Sequence, residues 1–463
     1  MFGNIYNTLR NCFKIPELKS RILFTLGLLA VCRLLAVITI PGLDGAALHK
    51  YYAAQSASSG SAMALYNTFA GGAYENCAIG SLGIMPYISA TIIIQLLTAV
   101  IPRLSKLVRE EGGRAQIIIY GRYLTVLLCV GQGLYFASGW LHPQTTGGLT
   151  GFQGQLVTMG NPLAYFFVVV TVMTAGTMLL MWLGEQITER GIGNGVSLII
   201  SIGILARLPN AYYALINMFH VSPDGTATHH WQGTGILLLI LLCVVVGGVI
   251  AITQAQRKIP VQYAQRAVGR KMIAGGSSFM PLRVNYAGVM PIIFASSILM
   301  FPPMLFKWLA VSGPLFMRDT AFWFASQLES GSWMYLTIYA AMILFFSYFW
   351  VATQFNEIQI ADDLKKNGGY IPSVRPGNGT SEYLHHAMSR ITLAGAVFLT
   401  VIATIPIILQ KKLDIPYDVS SFFGGTSILI AVGVLLDTMR QIESHLMMRH
   451  YDGFLKKGRI RGR

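Results

Sequence analysis

Few side chains in this 463-residue sequence are placed for covalent or proton chemistry, and their spacing does not suit it. Pumps and ion-coupled carriers need ionisable groups at mid-membrane depth. The interiors of the long apolar runs hold Arg33, near the middle of the first, and Asp437, toward the inner end of the last, with no chain of Asp, Glu or His between them. The doublets His229-His230 and His385-His386 lack partner ligands at metal spacing, and no HExxH string occurs. The string GIGNG at 191–195 lacks the spacing and the lysine of a phosphate-cradling loop. Cys12, Cys32, Cys77, Cys129 and Cys243 are scattered, so they read as packing residues rather than a disulfide framework or metal site. No metal, cofactor or enzymatic activity is expected, and any driving force must come from outside the chain.

What the polar residues can do is join helices and dock partners. One apolar run carries Tyr87, Ser89, Thr91 and Gln95, and a later one carries Ser296 and Ser297. Such neutral groups hydrogen-bond between helices in a bilayer. The other resource is positive charge, +15 net. The segment 256–283 holds Arg257, Lys258, Arg266, Arg270, Lys271 and Arg283 without one acidic residue. That concentration exceeds what membrane orientation requires and fits a large anionic partner, ribosomal RNA, with anionic lipid accounting for basic loops in general. A second loop, 356–390, contains ADDLKKNGGYIPSVRPGNGTSEYL, whose Gly-Gly and Arg-Pro-Gly turns place Arg375 at a tip. The sequon Asn378-Gly379-Thr380 lies in this loop, expected on the cytoplasmic side, so its glycosylation reading fails on topology.

The elements that position these residues follow from composition. With 54% hydrophobic and only 11% charged residues, the chain is a polytopic membrane protein, since soluble proteins carry about a quarter charged residues. Runs long enough to cross about 30 Å of hydrocarbon occur at 22–40, 79–100, 117–138, 163–183, 194–213, 235–254, 286–306, 334–353, 391–409 and 425–441. With both termini on one side of these ten spans, 27 of the 34 Lys and Arg share that side, six lie opposite and Arg33 lies within a span. The positive-inside rule makes that side cytoplasmic. Residues 1–20 place Phe2, Ile5, Tyr6, Leu9 and Phe13 at helical spacing against Arg10, Lys14 and Lys19, an amphipathic helix on the membrane surface rather than a cleaved signal. Between the first two spans, SAMALYNTFAGG at 61–72 is too short to cross. It reads equally as a solvated loop or a re-entrant half-helix. The outward loops 139–162 and 210–234, rich in Gly, Thr, Gln and His, read as connectors.

A short repeat organises these spans. GIMPYISATIIIQLL at 83–97 and GVMPIIFAS at 288–296 share a Gly-x-Met-Pro-x-Ile-x-Ala string, each in the second span of a five-span half. An odd number of spans per half inverts the second copy, and in inverted-repeat transporters the functional path lies between the halves. Each proline, near its span's start, is expected to favour a break or tilt.

Six strings carry a resemblance over nearly the whole chain: GIMPYISATIIIQLL, GEQITERGIGNGVSLII (184–200), QAQRKIPVQYAQR (254–266), NYAGVMPIIFASSILMFP (285–302), ADDLKKNGGYIPSVRPG (361–377) and GTSILIAVGVLLDTMRQIES (425–444). In these the sequence resembles the SecY family, channel subunits of the Sec protein translocase. The resemblance implies an all-α polytopic fold of ten transmembrane helices in two pseudo-twofold inverted halves, a clamshell with a plug half-helix. Its parts would be an N-terminal surface helix at 1–21, a first half at 22–215, an external hinge region at 216–234 and a second half at 235–442. The second half would carry cytoplasmic loops 254–284 and 354–390, and a basic tail would follow at 443–463. The pore ring it implies is Ile84, Ile88, Val196, Ile200, Ile293 and Ile402, a hydrophobic gate in which Val196 is smaller than the isoleucine of many relatives. The plug would be 61–72, with Ala62, Met63, Leu65, Tyr66 and Phe69. A lateral gate for signal sequences would include Ser89, Gln95, Ser297 and Phe301. Arg257, Lys258, Arg266, Arg270, Lys271 and Arg375 would meet the ribosome or the ATPase SecA, and SVRPG stands where many relatives have GIRPG. Implied partners are SecE and SecG in a heterotrimer, SecA, the ribosome with its nascent chain, signal peptides, YidC and SecDF, and anionic lipids. The implied location is a bacterial inner membrane, ahead of a plastid membrane. Rival readings are an inverted-repeat small-solute transporter and a non-conducting scaffold or insertase.

Overall fold

The computed structural model describes residues 15–55, 62–110, 112–143, 152, 154–219, 232–263, 266–268, 271–273, 276–313, 315–328, 331–413, 415, 419–420, 422 and 426–457. Residues 1–14 of the expected surface helix, residue 61 of the plug, Arg270, most of the connector 210–234 beyond 219 and the tail from 458 lie outside the described residues. So do the side chains of Ala62, Met63, Leu65, Arg266 and Lys271.

The apolar runs fold as helices. The first half holds α1 (Pro16–Leu35), α2 (Gly45–Gln55), α3 (Ala62–Phe69), α4 (Met85–Val100), α5 (Pro102–Arg109), α6 (Gly113–Leu141), α7 (Pro162–Arg190), α8 (Gly195–Leu205) and α9 (Leu208–Phe219). The second holds α10 (Gln232–Gln254), α11 (Met290–Ser312), α12 (Leu315–Gln327), α13 (Trp333–Gln354), α14 (Glu357–Lys366), α15 (Asn378–Leu413) and α16 (Thr426–Lys457). Among the described residues, seven helices are long and apolar enough to cross a membrane, or eight if α4 and α5, bent by 105°, form one span. The first and last of the ten expected spans are helical too. Lys19, Arg21 and Arg33 in α1, and Asp437, Arg440 and Glu443 in α16, make these two the most charged.

Local sequence sets the helix ends. Proline stands in the first turn of α1, α4, α5, α7 and α11, where its missing N–H would be unpaired in any case. Asn161 Oδ1 accepts from the Leu163 N–H at 3.1 Å to cap α7, and Asn356 Oδ1 accepts from Gln359 at 3.2 Å to cap α14. The fifth span, least hydrophobic with the tenth, is divided: α8 ends at Leu205 and α9 starts at Leu208, leaving Arg207 at the join.

Two elements depart from an all-helical chain. The basic segment 256–283 contains β1 (Gln256–Tyr263), β2 (Arg266–Val268), β3 (Lys271–Ile273) and β4 (Ser277–Arg283), and β5 (Gly369–Tyr370) follows α14. In β1 the buried Ile259 and Val261 alternate with exposed Lys258, Pro260 and Gln262, the period-two pattern of a strand with one wet face. The sheet order is β4-β1-β5, antiparallel, while β2 and β3 pair at the tip.

One large apolar cluster draws side chains from α1, α4, α6, α7, α8, α11, α13 and α15, and a second binds the sheet to α13, α14 and α15.

Candidate functional site

The two repeat strings adopt the same backbone. Gly83 has φ +57 and Gly288 φ +63, a left-handed conformation that suits glycine. The next residues match as well: Ile84 at φ −95, ψ 2 and Val289 at φ −94, ψ −5, each preceding a helix with proline in its first turn. The prolines therefore start α4 and α11, so the expected spans 79–100 and 286–306 are not uniform rods but are helical only from Met85 and Met290 onward. The physical reason is position: within the first turn no backbone carbonyl of that helix lacks its donor.

α4 and α11 pack against each other. Ser297, fully buried, donates to the Ile293 carbonyl at 2.6 Å, and its Oγ lies 3.9 Å from Met85 Sδ on α4. Ser89 is buried and its hydroxyl has no partner among the described residues, whereas Gln95 is half-buried near the other end of α4. A seam between the halves is thus closed by small residues and sulfur, with little hydrogen bonding across it.

Ile84, Ile88, Ile200, Ile293 and Ile402 are all buried in the large apolar cluster, and Val196 packs against it half-buried. These residues come from α4 or its N-cap, α8, α11 and α15, over three hundred positions apart in sequence, and the fold gathers them into one apolar body. Beside Ile84, a cavity of about 30 Å³ is bordered by Arg33, Phe69 and Gly203. That is room for about one water, too little for a hydrated ion.

The described part of the segment, residues 62–72, is a packed half-helix and its exit turn. Tyr66, Asn67, Thr68, Phe69 and Ala70 are all buried. Tyr66 sits 4.9 Å from the Phe136 ring and 6.3 Å from Tyr74, in an aromatic group completed by Trp140. The chain leaves α3 through Gly71 at φ +66, where a Cβ would come within 2.8 Å of Gly203 Cα on α8. Only glycine permits this approach of plug to span.

Against α6 and α11 opens an apolar cleft of about 880 Å³, lined by Tyr66, Tyr135, Phe166, Phe301 and Leu305 among others. Phe301 is the expected gate residue that reaches it. Sequence reasoning missed the opposite wall. Gln132 on α6 lines the cleft, and both its amide nitrogen and its oxygen are buried without a partner among the described residues. A lone amide in the apolar run 117–138 was the signal available for it.

On the basic side the structure joins what the sequence kept apart. β5 pairs with β1 through Gln262↔Tyr370 and Tyr263↔Gly369, and the Tyr370 hydroxyl donates to Gln262 Oε1 at 2.9 Å. The hairpin bearing Arg257 and Lys258 and the loop bearing Arg375 therefore form one body, and all three side chains are exposed. The Thr380 hydroxyl donates to the Arg375 carbonyl at 3.0 Å, pinning the tip. Ser373, which stands at the glycine of GIRPG, has φ +68. Arg266 and Lys271 lie on the separate β2–β3 tip. A polar cavity of about 510 Å³ lies nearby, lined by residues that include Asn194, Arg283, Asp437 and Arg440. Asp437 is 3.8 Å from Arg440, whose Nη2 donates to the Thr253 carbonyl at 2.7 Å. Among the described residues no cluster of three His, Cys, Asp or Glu is arranged to hold a metal.

A family model described as SecY matches residues 78–439. The protein translocase subunit SecY of Chlamydia muridarum is 42% identical over 464 residues, covering 98% of this chain and 99% of the relative. That of Escherichia coli K12 is 41% identical over 454 residues, covering 97% and 96%. Among solved structures, one described as "The structure of a protein conducting channel" has TM-score 0.59 at 18% identity, covering 92% of this chain and 91% of its own. Sec61 in a canine ribosome-channel complex gives 0.57 with the same identity and coverage. Structural likeness at this identity speaks for the fold.

Proposed function

The chain belongs to the SecY family, and on that premise we propose that it is the central protein-conducting channel of a translocase. It passes unfolded, signal-bearing polypeptides across a membrane and releases apolar segments sideways between α4 with α6 and α11 with α13. The observation that carries this reading is the seam itself: two inverted copies of one string meet face to face, with a buried half-helix against them and an apolar cleft at one edge. Branched aliphatics at 84, 88, 196, 200, 293 and 402 form a ring that yields around a moving chain and closes behind it, a hydrophobic constriction that excludes ions by dewetting. Tyr66, Phe69 and their helix fill the space on the outer side of that ring.

Ser89, Gln95, Ser297 and Phe301, with Gln132 added from the geometry, line the exit toward lipid. The Ser89 hydroxyl and the Gln132 amide, buried without a partner among the described residues, favour a passing peptide that supplies donors and acceptors. The sheet-bound cations Arg257, Lys258 and Arg375 receive the ribosome or SecA, which supply the driving force. SecE and SecG complete the complex, set in a bacterial inner membrane with both termini cytoplasmic.

Reconstitution of the full chain with its small partner subunits tests the reading. Import of a signal-bearing precursor into vesicles, without saturable uptake of small solutes, is the expected result. Solute uptake without polypeptide import would establish the transporter alternative instead.

A further inference from the structure

Arg33 and Arg207 have no role in the reading above, yet both end on the half-helix that blocks the pore. Arg33 Nη1 donates to the Gly71 carbonyl at 2.9 Å, just past the C-terminus of α3, where partial negative charge gathers. Arg207 reaches the same segment with two nitrogens. Its Nη1 donates to Thr68 Oγ1 at 3.2 Å and its Nη2 to Glu75 Oε1 at 2.8 Å. The Asn67 amide of α3 donates to that same Glu75 oxygen. The Arg207 and Glu75 side chains are only 12% and 11% exposed, so the pair is largely withdrawn from water. His49 Nδ1 on α2 stands 3.9 Å from the other Glu75 oxygen.

Resting on the channel reading, we infer that Arg207, Glu75 and Arg33 form a polar latch that fixes the plug to the first half and thereby sets how strong a signal segment must be to open the channel. Two features carry this. Every charged member lies in the first half of the chain, while contact between α3 and α11 of the second half is without a charged pair among the described residues. Parting α4 from α11 therefore leaves the latch intact, so gate opening and plug release are separate steps with separate costs. Second, a buried, hydrogen-bonded pair gives way abruptly, because removing one partner strands the other charge. A substrate opens the channel only by as much as its binding differs between the latched and unlatched states. A weaker latch lowers that requirement for every substrate and favours poor signals most. Arg207, Glu75 and Arg33 are thus positioning residues for the plug that act as determinants of substrate stringency.

The test uses the full chain in its purified membrane complex, reconstituted into vesicles, with precursors whose signal segments decline stepwise in hydrophobicity. The variants are Arg207→Gln, the milder Thr68→Val, and the reciprocal pair Glu75→Arg with Arg207→Glu. In that pair the Asn67 amide, which now donates to Glu75, would turn over to offer the incoming guanidinium its Oδ1, an atom buried without a partner among the described residues. Arg207→Gln is expected to raise resting ion conductance by about tenfold, the equivalent of about 1.4 kcal/mol, and to admit precursors that the parent protein rejects. Thr68→Val shifts both readouts less, in the same direction, and the reciprocal pair returns both toward the parent values. Intact Arg207→Gln and Thr68→Val complexes with parental conductance and the parental hydrophobicity threshold would overturn the latch while leaving the channel standing. A parent complex that fails to import even the strongest-signal precursor would overturn the channel reading and the latch together.

Discussion

Replacing Ile88 and Ile402 together with alanine probes the proposed ring most directly. The two side chains are 5% and 3% exposed and come from α4 and α15. Each substitution removes three carbon groups; taking each as about the size of a water's share of the liquid, ~30 Å³, the pair vacates roughly 180 Å³. At about 30 Å³ per water the vacated space would hold about six waters, enough for a wet path through the proposed ring. Alanine is preferred to glycine, which would add about 1 kcal/mol of helix destabilisation at each site. Each truncation is expected to cost about 2–5 kcal/mol of folding stability, so the variant's thermal unfolding is measured beside its conductance. In planar bilayers without substrate, the double variant is expected to conduct ions well above the parent, with each single variant between. A folded double variant whose resting conductance equals that of the parent would refute the ring.

Three further outcomes follow from particular residues. Ser373→Gly relieves a left-handed conformation costing about 1–2 kcal/mol, offset by the greater chain entropy of glycine when unfolded, so amide exchange at 369–380 should slow; unchanged or faster exchange would contradict the strain at φ +68. Arg375→Glu should reduce translocation driven by SecA or the ribosome while the assembled complex and its thermal stability stay as before, because the side chain is exposed; full transport would remove that tip from the docking surface. Burial pushes the Cys77 thiol up from 9.0 to about 12. Its thiolate fraction at pH 8 is then about one in ten thousand, so maleimide at that pH should spare Cys77 until the fold opens; rapid native labelling would show the site open.

Sequence alone determined the class of this protein. Apolar run length, sparse charge and the distribution of Lys and Arg are local or additive quantities, readable without knowing which residues touch. The repeat was legible for the same reason: Gly83 and Gly288 each occupy a left-handed position that the string Gly-x-Met-Pro requires locally. The family strings then supplied the ring and the plug as expectations.

Tertiary structure decided the rest, because polar pairing depends on chain neighbours far apart in sequence. Arg207 counted in the sequence only as an outward charge; its partners Thr68 and Glu75 lie 139 and 132 positions away. Arg33 looked like an anomaly in a span until Gly71, 38 positions on, supplied its acceptor. Gln132 carried no visible role before α11 stood opposite it across the cleft. The two basic loops became one surface only when β5 joined β1, a pairing of 108 positions that no local pattern encodes. Hydrophobic periodicity places each helix in the bilayer, and the closure of distant segments on one another determines which charge holds which.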